Sequence, residues 1–504
     1  MDNSEKEIEV KKLALKNWLK DKYNLALVGI LILAFAFRVY YFFLAKEQAH
    51  WWDSLAYGSL AKEMIYNLWS DNAFIIHESI IRPPLLPLLW SILLRLGFND
   101  SLILFILEII PSTLSIFFLY LIGKEFYSKR VGIFVAFLGA ISWIHLFYSV
   151  RIMTDVPSLF LAIVSIYYFS KCKNSISIKN FFLSIFFLSL SVLMRYSYGL
   201  IGFVYLVFFI FVYRNKLFIN KSFWIGGILG IVPIILFFII NLSKFGSIMP
   251  ALDVYSGDAQ IKPFAFYVLE FIPYIIQKTF TIFLFFGISI ALFDLILGFG
   301  SINKIEKLKA HLFNILLISF SLFFFIFIIK AAEDRYLMIL FPSIFLLSSI
   351  SVLFFYDFIK KYSYFLASTV LIILLMFFLY SQINFSQKII SEKKESFIQM
   401  KEAFLWIKDN TEKKDIILGD WADPYAIYYS ERKLGKFPKN LSELEEFSLK
   451  NIDYLTLTAV HQPTKEVVQY TEQQSQKGNL IPVKIIYFDR EQKNPAVIIY
   501  KVKK

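Results

Sequence analysis

Pro83-Pro84-Leu85-Leu86-Pro87-Leu88-Leu89-Trp90-Ser91-Ile92-Leu93-Leu94-Arg95-Leu96-Gly97 is an apolar segment of 15 residues in a chain of 504. Whether it crosses a membrane fixes the side on which every later loop lies. As a helix it would reach roughly 22 Å, short of the roughly 30 Å hydrocarbon core. Length alone is weak evidence, because the runs 156–169 and 180–194, read here as spans, are similarly short. The charge of the later loops decides. Spans are expected at about 24–45, 102–122, 131–150, 156–170, 180–194, 198–213, 222–242, 279–299, 312–330, 337–356 and 364–382, which makes about 11 transmembrane helices. With the N-terminus cytoplasmic, the loops 123–130, 171–179, 214–221, 300–311 and 357–363 share the cytoplasmic side. Their fourteen basic residues run from Lys124, Lys129 and Arg130 to Lys360 and Lys361, and only Glu125, Glu306 and Asp357 oppose them. That is the positive-inside pattern. A crossing at 83–97 would put all of these loops outside. The segment is therefore read as a helix lying in, or dipping into, the outer interface, with its double proline at the start, where missing N–H groups cost least.

Composition agrees with a membrane protein. Hydrophobic residues make up 58% of the chain and charged ones 18%, with 57 Phe and a mean hydropathy of +0.60. Soluble domains carry about 25% charged residues. So large an apolar excess excludes a soluble enzyme and implies a polytopic α-helical protein of the plasma membrane. Cys172 is the single cysteine, so no disulfide forms within the chain. The net charge of +13 is accounted for by orientation in the membrane, and no nucleic-acid partner is expected.

Three regions follow. Residues 1–23 read as a cytoplasmic basic amphipathic helix or a disordered basic tail. Residues 24–382 form the membrane domain, with an outer loop at 46–101 that carries interfacial helices. Residues 383–504 change character. Helix signals at 392–410 and 441–451 alternate with strand-like runs at 415–419, 453–459, 481–488 and 496–502, which predicts a C-terminal extracytoplasmic α/β domain. Within it, Gly419-Asp420-Trp421-Ala422-Asp423-Pro424 reads as a turn or a binding loop.

The outer face collects the charges that orientation does not explain. Asp53 opens a helical pattern through Leu55, Leu60, Met64 and Leu68, where it either caps the helix or carries chemistry. Asp155, in Arg151-Ile152-Met153-Thr154-Asp155-Val156-Pro157, stands at the head of a short span with the same two readings. Arg82, Arg151, Arg195 and Arg335 lie in outer loops against the positive-inside trend, and a guanidinium fork suits a lipid phosphate or a neighbouring acid. Inside the outer halves of spans are Arg38, Glu108 and His145. Ionisable groups there are costly and usually face a cavity. Arg38 alternatively snorkels outward, and His145 alternatively is a hydrogen-bonded core residue. No glycine-rich phosphate loop or zinc-ligand spacing occurs, and His50 and His77 are isolated in the sequence.

Four motifs in order resemble the GT-C class of polyprenyl-phosphate-sugar-dependent glycosyltransferases. The resemblance is especially to the branch that contains the protein O-mannosyltransferases and the bacterial lipid A aminoarabinose transferase. The motifs are Asp53, Tyr57 and Ala61 at four-residue spacing; Arg82-Pro83-Pro84-Leu85-Leu86-Pro87-Leu88; Thr154-Asp155-Val156-Pro157; and Arg335-Tyr336-Leu337-Met338-Ile339-Leu340-Phe341-Pro342. The resemblance covers roughly residues 25–382. It implies an enzyme that moves a hexose or pentose from a dolichol- or undecaprenyl-type phosphate to a glycan, lipid or protein acceptor on the outer face, with inversion. By match, Asp53 is the general base or metal-assisted activator of the acceptor. Asp155 shapes that site or binds a divalent cation such as Mg or Mn, and no organic cofactor is implied. Arg82, Arg151, Arg195 and Arg335 are the expected donor-phosphate ligands, with Tyr57, Glu108, His145 and Tyr336 at the substrate. Relatives often pair two acids in the first loop, whereas residue 54 here is serine. A transporter or flippase of lipid-linked substrates is the alternative; it usually shows inverted repeats and midplane charge, whereas the charges here gather on one face. A scaffold protein would leave the acid and arginine cluster unexplained.

Overall fold

A computed structural model describes residues 18, 20–254, 262–302, 304–330, 332–419, 423–435, 449–460, 465–489 and 491–503. Most of the basic segment 1–23, residues 420–422 of the 419–424 turn, and most of the helix expected at 441–451 lie outside the described residues. By contacts the chain divides into two units. One comprises residues 1–44, 104–250 and 255–390; the other comprises 45–103, 251–254 and 391–504.

The first unit is helical. Among the described residues, eight helices are long and apolar enough to cross a membrane: Lys22–Ala45, Asp100–Phe126, Tyr196–Leu217, Lys221–Phe245, Phe280–Ser301, Glu306–Ile329, Asp334–Lys360 and Tyr364–Lys393. The other three expected spans are also helical but shorter. Asp155–Ser170 and Ile178–Met194 have 16 and 17 residues. The span expected at 131–150 is two helices, Lys129–Ile141 and Trp143–Tyr148, parted at Ser142, whose backbone is non-helical. The break is satisfied from within the protein: the Trp143 N–H donates to Gln382 Oε1 at 2.8 Å, and its indole N–H donates to the Ile275 carbonyl. Irregular backbone at such depth is tolerated only where protein covers it. Asp155–Ser170 is accordingly buried along most of its length.

Small residues allow the closest helix approaches, as packing in lipid favours. A Cβ at Gly123 would sit 2.6 Å from Gly132 Cα, and one at Gly287 would sit 2.1 Å from the Leu347 carbonyl oxygen. Many of the phenylalanines fill the interior as ring contacts. Phe169 stacks on Tyr205 at 3.9 Å between centroids and also meets Phe208, Phe209 and Phe313.

The second unit holds helices Trp52–Tyr66, Ala73–Ile81 and Leu85–Arg95 together with the C-terminal segment. Leu85–Arg95 has 11 residues, about 16 Å of helix, too short to span. In the C-terminal segment, strands β1 (Ile416–Gly419), β2 (Lys433–Leu434), β3 (Tyr454–Thr458), β4 (Leu480–Tyr487) and β5 (Pro495–Val502) form one sheet in the order β2-β1-β3-β5-β4. β1 pairs in parallel with β2 and β3, and β5 pairs antiparallel with β3 and β4. Four strands fall where alternation placed them. β2, two residues long, has no period to read, and helix Lys465–Gln476 is so polar that its few apolar residues hid it.

Candidate functional site

In the second unit the site is built on helix Trp52–Tyr66. Its N-cap is Trp51, with no side-chain capping bond, so Asp53 sits inside the first turn and does not cap the helix. Asp53 Oδ1 instead accepts from Arg82 Nη2 at 2.9 Å. Arg82, at the C-terminal end of helix Ala73–Ile81, also donates through Nε to Glu78. Its guanidinium carbon lies 4.8 Å from the centre of the Tyr57 ring. Tyr57 follows Asp53 by one turn, so both residues present to Arg82 from the same helix face. Burial alone would lower the Arg82 pKa, but Tyr57, Asp53 and Glu78 together hold it above its ordinary value. Asp53 keeps 26% of its side-chain surface exposed, against 13% for Arg82 and 6% for Glu78. The carboxylate that would touch a substrate is thus the open member of the group.

In the first unit, Asp155 opens helix Asp155–Ser170, and Thr154 before it makes no capping bond. Both side chains point to Arg195. Its Nη1 lies 2.7 Å from Asp155 Oδ1 and 3.2 Å from Thr154 Oγ1. Asp155 is 1% exposed. The Arg195 guanidinium carbon is 5.0 Å from the centre of the Tyr336 ring, and that of Arg335 is 5.8 Å from the same ring. Burial pulls the Arg195 pKa down and Arg335 repels it, yet Asp155 holds it above its ordinary value. Arg335 Nε donates to Glu333, and its backbone N–H to Asp334, which also accepts from the Tyr148 hydroxyl at 2.7 Å. Two guanidinium groups beside one aromatic ring form a cationic surface suited to phosphate.

Glu108 lies in a π-helical turn, Phe105–Ile109. Its Oε1 accepts the Met153 N–H at 2.9 Å, which ties this helix to the loop before Asp155. Its buried Oε2 has no hydrogen-bond partner among the described residues. Arg151 packs its guanidinium 3.7 Å from the centre of the Phe147 ring and donates to the Phe147 carbonyl at 2.6 Å. His145 belongs to a separate buried network: Arg38 Nη2 lies 3.1 Å from its Nδ1, and Ser112 Oγ lies 3.2 Å from its Nε2. Arg38 does not snorkel. It is fully buried and also donates to Ser112 and to the Ala34 carbonyl.

The second unit brings two groups to the Asp53 helix, His50, which sequence reasoning set aside, and Lys62, which it did not consider. His50 bridges Ser54 and Asp100, with Nδ1 3.0 Å from Ser54 Oγ and Nε2 3.3 Å from Asp100 Oδ2. Lys62 lies 2.7 Å from Glu431. The only available signal was the i, i+4 spacing of His50 and Ser54, since Asp100 and Glu431 are remote in sequence. Among the described residues no group of three or more His, Cys, Asp and Glu side chains is placed to hold a metal ion. Asp53 and Asp155 each pair with a guanidinium.

Residues 81–240, about a third of the chain, match the family model described as dolichyl-phosphate-mannose-protein mannosyltransferase. No curated protein matches the chain. Among solved structures, the oligosaccharyltransferase of Archaeoglobus fulgidus tethered to an acceptor peptide is 14% identical. The match covers 97% of this chain and 75% of that one, with a TM-score of 0.65. The same archaeal protein has been solved with an inhibitory peptide and a dolichol-phosphate, at 14% identity, TM-score 0.58 and coverage of 88% and 70%, and also with zinc and sulfate. ArnT from Cupriavidus metallidurans bound to undecaprenyl phosphate is 8% identical, with coverage of 94% and 97% and a TM-score of 0.63. Over most of its length the chain shares its fold with these solved structures.

Proposed function

We propose that this protein is a membrane glycosyltransferase that transfers a sugar from a polyprenyl phosphate to an acceptor on the outer face of the membrane. The observation that carries this reading is the half-open Asp53 carboxylate, oriented by Arg82 in a chain of GT-C fold. Solved relatives with dolichol-phosphate and undecaprenyl phosphate support the donor class. Asp53 takes the proton of the acceptor hydroxyl as the new bond to the anomeric carbon forms. The bond from that carbon to the phosphate oxygen breaks in the same displacement, which inverts the centre. The departing polyprenyl phosphate gains negative charge, and fixed guanidinium groups stabilise charge that develops in the transition state. Within the first unit, the guanidinium groups of Arg195 and Arg335 beside Tyr336 are the groups suited to a phosphate. Arginine takes the place of a divalent cation at both carboxylates, and a chelator is expected to leave turnover unchanged.

The test uses membranes that contain the protein and its endogenous acceptor, supplied with radiolabelled sugars on undecaprenyl and dolichyl phosphate, mannose first. Label should leave the lipid fraction. Asp53→Asn, which can still accept from Arg82, should slow transfer at least about a hundredfold while the protein stays folded. Transfer at the unaltered rate by Asp53→Asn defeats the assignment of the base. Lipid translocation without sugar transfer from any donor defeats the enzyme reading.

A further inference from the structure

The helix that carries Asp53 has a second stripe, one residue on. Ser54, Gly58 and Lys62 recur every four residues and so share one face. Each connects, directly or through His50, to Tyr428 or Tyr429. Ser54 bonds His50, whose ring bridges to Asp100 and whose backbone N–H donates to the Tyr429 hydroxyl at 2.9 Å. Gly58 lies against Tyr428: a Cβ there would sit 2.5 Å and 2.7 Å from two carbons of that ring and 3.1 Å from Trp90. Lys62 donates to the Tyr428 carbonyl, pairs with Glu431, and holds its ammonium 4.4 Å from the centre of the Tyr428 ring. The Tyr428 hydroxyl donates to Asp100 Oδ1 at 2.7 Å, which closes the circuit. All nine residues Ser54–Lys62 are buried.

We propose that the C-terminal turn Ala426–Ser430, with Tyr428 at its centre, is a clamp that sets the rotation and axial position of helix Trp52–Tyr66 and thereby places Asp53. Tyr428, Gly58, His50 and Lys62 are its positioning residues. The inference rests on the reading of Asp53 as the base of a sugar transfer. The mechanism is geometric. Asp53 and Tyr57 lie about 100° around the helix from Ser54 and Gly58, so any roll that relieves the clamp turns Asp53 away from Arg82. A displacement of about 1 Å in a reacting group can cost a hundredfold in rate. Three constraints of different kind fix the register. The packing at Gly58 admits no Cβ, buried Lys62 pairs with the partly exposed Glu431, and the hydroxyl of Tyr428 ends on a charged acceptor. The clamp also accounts for serine at position 54, since a carboxylate there would meet the Asp100 carboxylate across His50.

The experiment uses the full chain and two variants, Tyr428→Phe and Gly58→Ala. Tyr428→Phe keeps the ring against Gly58 and removes only the bond to Asp100. Gly58→Ala pushes the ring or the helix aside. Hydrogen exchange, which needs no substrate, should rise at least tenfold in the amides of residues 52–66 of both variants and stay unchanged in helix Asp334–Lys360. In the membrane transfer assay both should lose turnover, at least fivefold for Tyr428→Phe, at an unchanged donor KM. Exchange and turnover both unaltered in Tyr428→Phe overturns the clamp, whether or not Gly58→Ala folds. No transfer by the unaltered protein from any donor overturns the reading of Asp53 instead, and the exchange result then decides the clamp alone.

Discussion

Arg195 and Arg335 flank one tyrosine yet should respond differently to loss of charge. Asp155, the partner of Arg195, is 1% exposed, whereas the side chain of Glu333, the partner of Arg335, is 46% exposed. Removing one member of a buried pair strands the other charge and costs about 3–5 kcal/mol, while exposed pairs contribute about 0–1 kcal/mol. Arg195→Gln should therefore weaken undecaprenyl phosphate binding and lower the melting temperature together. Arg335→Gln should weaken binding at least about tenfold with little change in melting. Unchanged binding by Arg335→Gln would remove that residue from the phosphate site. A second test concerns Asp423, whose carboxyl is pushed up to about 6 by burial. Between about pH 4 and pH 6 the unfolded chain is ionised there and the folded chain is neutral, so the folded state binds more protons. Stability from this group is then present at low pH and lost as pH rises through the window, by up to about 3 kcal/mol. Asp423→Asn should flatten that part of the unfolding profile and stabilise the protein at pH 7; a profile identical to the unaltered protein's would refute the assignment. At this scale the sequence showed Asp53, Arg82, Asp155 and Arg335 in motifs and left open whether the acids cap helices. The contacts made by His50, Asp100 and Tyr428 join positions that no local period relates.

Elements were legible wherever a period repeats long enough to be read. Apolar runs marked all of the expected spans as helix, and alternation marked four of five strands. Ser142, which splits one span, is a small polar residue among others of its kind, and the groups that satisfy the break come from Gln382 and Ile275. Helix crossings were equally hidden, because a glycine in an apolar run gives no sign of what it touches. Gly287 and Gly29 show the contrast. A Cβ at Gly287 would lie 2.1 Å from a backbone oxygen of Leu347, whereas one at Gly29 meets nothing within 4 Å. Backbone cannot step aside as a side chain can, so Gly287→Ala should separate the two helices and destabilise the protein by about 1–3 kcal/mol. Gly29→Ala, in a helix interior, should be neutral or stabilising by up to about 1 kcal/mol. Melting of the two variants in the same detergent checks the pair. Equal melting temperatures would mean that the crossing at Gly287 is loose.

At the scale of the whole chain, hydropathy and contact divide the sequence along different lines. Hydropathy separates an apolar body from a polar tail near residue 383, whereas contacts group residues 45–103 with residues 391–504. The reason is physical. Hydropathy reports the solvent a segment prefers, and two polar segments far apart in sequence can share one core. Ile427 of the tail packs with Leu60, Trp69 and Ile75 of the first loop. This grouping bears on orientation, because a loop and a tail in one compact unit must lie on the same side of the membrane. The loop Lys171–Lys179 and the turn Arg214–Leu217 belong to the basic set assigned to the cytoplasm. Asn215 and Asn410 are both exposed, and Cys172 is buried, so the native thiol adds little background. A membrane-impermeant maleimide added to intact cells should label Asn410→Cys and should reach Asn215→Cys only after permeabilisation. The reverse pattern would invert the protein and place Asp53 with the cytoplasmic face. Labelling of both sites in intact cells would break the charge argument, since fourteen basic residues against three acidic ones would then have failed to hold their loops inside.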